Sequence, residues 1–288
     1  MVTPFKDDGS VDLDGVARVA HHLVDNGNDG IVVSGTTGEA PTTSVAEDGA
    51  ILSAVIDAVG DRATIIAGIG TNHTEHSVEL NEQAQKAGAD GVLLVSPYYN
   101  KPTQAGIAAH FEAVAAASDL PIMLYDIPGR TGVTIAPETY ARVASNEKFV
   151  AVKDAVGDLF RGARIMAETG LAFYSGDDVL NLGWLTHGGV GVVSVVGHVA
   201  GTQYAAMVEA VDSGDLPRAL EIYVELLPVV DAIMNHAPGV MTAKAALQLM
   251  GVLDNRTVRL PLVEADNDLV GLVHEALASA AMLPETRA

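Results

Sequence analysis

The strongest constraint on this chain is a repeat of pattern. Short apolar runs of strand length alternate with stretches whose apolar residues recur at helical spacing, and the alternation continues to residue 214. The predicted strands cover residues 1–5, 30–35, 63–68, 90–96, 121–126, 149–156, 171–175 and 191–196. Between them, residues 12–26 set Val16, Val19, Ala20 and Leu23 on one helical face, and Ser44 with Glu47 forms a capping box before a helix to about Val59. Residues 75–87 make a helix that stops at Gly88, residues 104–117 make another, and Pro137 occupies what should be a first helical position. Eight strands with helices between them predict an α/β fold, a (β/α)8 TIM barrel. A doubly wound open sheet is the alternative, but no Gly-rich dinucleotide fingerprint follows the first strand. Beyond Asp215 the period is helical only, over residues 216–236, 239–250 and 267–282. The expected division is therefore a catalytic barrel, residues 1–214, and an all-helical C-terminal extension, residues 215–288.

Charge narrows the partners. The chain carries 37 acidic against 16 basic residues, a formal charge of −21, so nucleic acid and anionic lipid would be repelled. Such an excess also suits a high-salt cytoplasm, with an ordinary acidic proteome as the alternative reading. There is no cysteine, which removes disulfides and thiolate metal sites. No basic-then-apolar leader opens the sequence. The longest apolar region, residues 190–211, is interrupted by Gly197, His198, Gly201 and Gln203, so it reads as strand then helix and not as a membrane span. A cytoplasmic protein is expected.

In a barrel of this kind the chemistry is built from the C-terminal ends of the strands. The sixth predicted strand, Phe149-Val-Ala-Val-Lys-Asp-Ala-Val156, holds Lys153 inside an apolar run. Burial lowers a lysine's pKa, and a neutral amine is a nucleophile for carbonyl carbon. The competing reading is a strand-end lysine paired with Asp154 or extended to solvent. After the second strand, Gly35-Thr-Thr-Gly-Glu39 could hold a small carboxylate on backbone N–H groups and two hydroxyls, or be an ordinary turn. Ser96-Pro-Tyr-Tyr-Asn100 and Tyr125-Asp-Ile-Pro-Gly-Arg-Thr-Gly132 follow the fourth and fifth strands. Tyr125 suits proton transfer and Arg130 suits a carboxylate, against a packing tyrosine and a solvated loop charge. Asp177 and Asp178 read as a helix cap, and they argue against a phosphate site there. The histidines form no His-Glu-x-x-His pattern, so no metal site is expected.

Gly35-Thr-Thr-Gly-Glu39, Tyr125-Asp-Ile-Pro-Gly-Arg-Thr131 and Val152-Lys-Asp154, in this order, resemble the dihydrodipicolinate synthase family, one of the pyruvate-dependent Schiff-base lyases that include N-acetylneuraminate lyase. The resemblance covers essentially the whole chain. It implies condensation of pyruvate with L-aspartate 4-semialdehyde to 4-hydroxy-tetrahydrodipicolinate in lysine and diaminopimelate synthesis, without a cofactor. A sister lyase acting on a sugar acid is the alternative, and Arg130 favours the synthase. By resemblance, Lys153 forms the imine with pyruvate, and Tyr125 relays protons. Thr36 and Thr37 form the pyruvate-carboxylate turn, with Thr37 also in the relay. Tyr99 reaches across a tight dimer interface into the neighbouring subunit's relay, Arg130 takes the carboxylate of the aldehyde, and Gly176 and Val193 line the pocket. The family's usual assembly is a homotetramer, a dimer of dimers. Two positions depart from its pattern. Asp126 stands where Asn is frequent. Ala40, Val45, Asp48 and His76 stand where lysine-regulated members carry Ser, two His and Glu, with only Asn72 and Tyr98 matching, so weak or absent inhibition by lysine is expected.

Overall fold

The computed structural model describes residues 1–284. The chain has an α/β fold, with a parallel sheet core surrounded by helices and a helical C-terminal extension. It divides into two compact units, Ile65–Val193, and Met1–Thr64 together with Ser194–Ala288.

The central unit carries the run of parallel strands. After β1 (Gly30–Val33) of the other unit come β2 (Thr64–Gly68), β3 (Gly91–Val95), β4 (Ile122–Asp126), β5 (Phe149–Asp154), β6 (Ala172–Ser175) and β7 (Gly191–Val192). From β2 to β7 each strand pairs in parallel with the next in sequence. Strands covered on both faces need apolar side chains on both, and β4, Ile122-Met-Leu-Tyr-Asp126, is buried at every position. Helices Thr74–Ala87, Gln104–Ala115, Pro137–Val143 and Leu159–Thr169 alternate with the strands. Phe111 meets Phe149 with ring centres 6.4 Å apart, and Phe173 joins Tyr140 and Trp184 at 6.3 and 5.6 Å, so aromatic contacts tie strands to helices. Gly88 ends the first of these helices in the left-handed region, and Pro137 starts the third.

In the other unit the capping box forms as its sequence requires: Ser44 Oγ accepts from Glu47 N, and the Glu47 carboxylate accepts from Ser44 N. The expected first strand is absent. Pro4 has no N–H to give a ladder, the Val2 N–H is taken by His198 Nε2 at 3.0 Å, and only a bridge between Phe5 and Val11 forms. The last predicted strand is cut to Gly191 and Val192, because Ser194 Oγ accepts from Gly197 N at 2.7 Å and opens helix Gly197–Asp212. The extension consists of helices Leu216–Met234, Gly239–Leu249 and Asn267–Ser279, close to the predicted spans. No helix among the described residues is long and apolar enough to cross a membrane.

Candidate active site

Tyr125 and Lys153 are register partners across β4 and β5, near the C-terminal ends of both strands. Residues opposite each other in a parallel pair share a face, so the two side chains project together, and the Lys153 amine lies 4.4 Å from the centre of the Tyr125 ring. The next pair in register, Asp126 and Asp154, projects from the opposite face. This alternation excludes the Lys153–Asp154 pair that adjacency in sequence suggests. Asp154 instead accepts from Val156 N at 2.9 Å and faces Arg161.

Burial holds the Lys153 amine down to about 8; the Asp178 carboxylate pulls the other way, and the Arg130 guanidinium adds to the lowering. The side chain as a whole is only half-buried. An amine that gives up its proton more readily than an ordinary lysine, on a side chain that is only half-buried, suits attack on a carbonyl carbon.

The strand ends around this amine are shaped to admit it. At Gly176, just after β6, a Cβ would stand 2.8 Å from Lys153 Cγ and 2.9 Å from the Asp154 carbonyl oxygen, so only glycine fits. Val193, just after β7, donates its N–H to Ser175 O at 2.7 Å. Arg130 is exposed in the short helical turn Pro128–Thr131. Gly132 closes that turn at φ +74°, and Thr131 Oγ1 fastens it to Ile127 O and Val133 O at 3.0 and 2.7 Å. Tyr99 is 87 % exposed with φ +73°, which excludes a packing role within this chain. The two aspartates after β6 separate in role: Asp177 caps the following turn through Val179 N at 3.3 Å, while Asp178 is buried, accepts from Asn181 Nδ2 at 3.0 Å and bears on Lys153. Their adjacency at a helix start hid that difference in the sequence.

Thr36 and Thr37 belong to the other unit, on the single helical turn Thr36–Gly38. Glu39, the last residue of their motif, anchors that turn. It sits at φ +59°, accepts from Lys244 Nζ at 2.6 Å and from Arg259 N at 2.9 Å, and is buried with Lys244. Arg259 continues to Glu47 and to Thr42 O, and the Phe5 ring lies 4.3 Å from the Lys244 amine and 4.4 Å from the Arg259 guanidinium. Nothing in the sequence pattern marks this network, whose partners are about two hundred residues apart.

A parallel α/β core carrying a desolvated lysine beside a tyrosine at the strand ends defines a Schiff-base enzyme of the class I aldolase kind. The family model described as the dihydrodipicolinate synthetase family matches residues 1–280, and the chain belongs to that family. It is 56 % identical over 284 residues to the 4-hydroxy-tetrahydrodipicolinate synthase of Kineococcus radiotolerans, covering 99 % of this chain and 92 % of that one. Among solved structures it is similar to dihydrodipicolinate synthase from Cyanidioschyzon merolae with lysine bound, with 42 % identity, a TM-score of 0.94 and coverage of 98 % and 97 % of the two chains. It is likewise similar to the chloride-inhibited enzyme of Acinetobacter baumannii in complex with pyruvate, at 35 % identity, a TM-score of 0.94 and the same coverage. These structures have the (β/α)8 architecture expected from the strand–helix alternation.

Proposed function

We propose that this chain condenses pyruvate with L-aspartate 4-semialdehyde through an imine on Lys153, giving 4-hydroxy-tetrahydrodipicolinate for lysine and diaminopimelate synthesis. The observation that carries the reading is the Lys153 amine, lowered to about 8 and set 4.4 Å from the Tyr125 ring centre. The names and bound pyruvate of the relatives support it.

The neutral amine of Lys153 adds to the keto carbon of pyruvate, and the carbinolamine loses water to give a protonated imine. That imine withdraws electrons from the neighbouring methyl group, which gives up a proton and becomes the enamine carbon. The enamine attacks the aldehyde carbon of the second substrate. The amino group of that substrate then attacks the imine carbon, closes the ring and expels Lys153. Each step moves a proton, which is the work assigned to the Tyr125 and Thr37 hydroxyls and to Tyr99 from a neighbouring subunit. Thr36, Thr37, Gly176 and Val193 receive pyruvate, and Arg130 takes the carboxylate of the aldehyde. The exposure and left-handed backbone of Tyr99 support contact with a second copy of the chain, and the family resemblance extends that contact to a homotetramer, a dimer of dimers, in the cytoplasm. The chemistry calls for no cofactor.

The test is a coupled assay with both substrates, run on the wild-type chain, Lys153→Ala and Arg130→Ala, beside borohydride trapping of pyruvate read by mass. Turnover and trapping that vanish with Lys153 establish the reading. Trapping without turnover would move the function to a sugar-acid lyase using the same imine, and no trapping at all would overturn it.

A further inference from the structure

Directly behind the catalytic pair lies a buried charge cluster that the reaction scheme does not use. Asp126 and Asp154 are opposite each other across β4 and β5, one residue beyond Tyr125 and Lys153, and both are fully buried. Like charges in that relation push paired strands apart. Arg161, from helix Leu159–Thr169, lies between them: Nη2 donates to Asp126 Oδ2 at 3.1 Å and Nη1 is 3.7 Å from Asp154 Oδ2. The same guanidinium donates to Ile135 O, and Asp158 Oδ1 fixes the backbone of Arg161 at 2.9 Å. Asp126 also receives Tyr140 OH at 3.2 Å and Ile135 N at 3.2 Å. One planar cation thus spans two strands and a loop that together carry Tyr125, Lys153 and, just before Ile135, the Arg130 turn.

We propose that Arg161 is a positioning residue for the reaction, bridging Asp126 and Asp154 so that the ends of β4 and β5 hold Tyr125 and Lys153 at the spacing proton transfer needs. The proposal rests on the Schiff-base reading of Lys153. Asp126 and Asp154 project from the face opposite the catalytic pair, and Arg161 meets them there from its helix, so the cluster acts through the strands and not on substrate. The guanidinium reaches both carboxylates at once, donating to Asp126 and standing within ion-pair range of Asp154, whereas an ammonium reaches one at a time. A misplacement of about 1 Å at reacting groups costs about 100-fold in rate.

The experiment compares Arg161→Met, Arg161→Lys and the triple variant Arg161→Met/Asp126→Asn/Asp154→Asn, in which the amides remove the two charges that would otherwise be buried unpaired. Melting temperature, kcat, pyruvate KM and borohydride trapping are read on each. The triple variant is expected to melt cooperatively, trap pyruvate with a KM within about two-fold of wild type, and lose about 100-fold in kcat. Arg161→Lys should fall between it and wild type. A folded triple variant turning over at the wild-type rate overturns the proposal, as does a loss confined to pyruvate KM. If the triple variant does not fold, Arg161→Lys decides by the same split of kcat against KM. A wild-type chain that traps no pyruvate removes the Schiff-base reading and this inference with it, whereas wild-type trapping with unaffected variants removes the inference alone.

Discussion

Lys153 and Tyr125 face each other across β4 and β5, with the lysine amine 4.4 Å from the centre of the tyrosine ring. The ring face favours a cation and burial disfavours one. Burial wins, because the amine is held at about 8. The same ring face is then in place for the positive charge that the imine must carry.

That balance predicts the pH dependence of imine formation. With a pKa of about 8, the amine is roughly a tenth neutral at pH 7, roughly 300-fold more than an ordinary lysine. The sign follows from the depressed value: below it the amine is protonated and inert, above it free. The rate of pyruvate trapping is expected to rise roughly tenfold from pH 6 to 7, roughly five-fold from pH 7 to 8, and then level. A plateau reached only near pH 10 would show that Lys153 is not desolvated.

Gly176→Ala places a methyl group 2.8 Å from Lys153 Cγ and 2.9 Å from Asp154 O. Backbone on one side cannot yield, so the lysine must turn. Overpacking of this kind costs about 1–3 kcal/mol. We expect a lower melting temperature and trapping slowed by at least about ten-fold, measured by thermal unfolding and mass spectrometry; wild-type trapping would contradict the contact.

Arg130→Ala is expected to separate the two substrates. A charge-assisted hydrogen bond contributes about 1.5–3 kcal/mol, which corresponds to roughly a 10- to 150-fold rise in KM for the aldehyde. Pyruvate trapping should persist and slow only slightly, since burial is the main cause of the lowered Lys153 pKa and Arg130 only adds to it. Equal losses for both substrates would assign Arg130 a broader role.

The Glu39–Lys244 pair predicts a stability effect with an internal control. Both side chains are buried, 2.6 Å apart. Removing one partner leaves an uncompensated buried charge, so Glu39→Gln should cost about 3–5 kcal/mol. Combining it with Lys244→Met removes the charge as well, and urea unfolding should recover most of the loss. A double variant no better than the single would mean that Glu39 acts through Arg259 alone.

Inhibition by lysine is expected to be weak. Ala40, Val45 and Asp48 stand where lysine-regulated members carry polar and basic side chains, and a free amino acid needs such groups to replace the water it gives up. Titrating lysine into the condensation assay checks this. Strong inhibition at low lysine concentration would place the regulatory contacts elsewhere.

Much of this was legible in the sequence because it is local. The Ser44–Glu47 box, Gly88 and Pro137 each fix an element boundary through their own backbone chemistry, and the helices of the extension begin and end near their predicted limits. The apolar run around Lys153 left open a desolvated amine or a strand-end lysine paired with Asp154, and only the motifs at the other strand ends favoured the first. What depended on partners far along the chain was not legible. The first strand failed because an imidazole from residue 198 takes the Val2 N–H. Asp154 looked like a partner for Lys153 until the register sent it to Arg161. Asp178 looked like its neighbour Asp177, although one is buried beside the amine and the other caps a turn. Glu39 lay inside a recognised motif, but its anchoring role needs Lys244.

Two amines in this chain, Lys153 and Lys244, are brought by burial to about the same value near 8, yet Lys244 is completely enclosed while Lys153 keeps an open side. Pairing and access together select which of them meets a carbonyl compound, because Lys244 donates to Glu39 at 2.6 Å and to Thr257 O at 2.7 Å inside the fold. A label on Lys153 records an encounter with ligand, whereas a label on Lys244 records a moment when the fold was open. The sealed amine is in that sense a built-in witness to unfolding, and modification of the two sites in one sample would tell the history of the molecule apart from its chemistry.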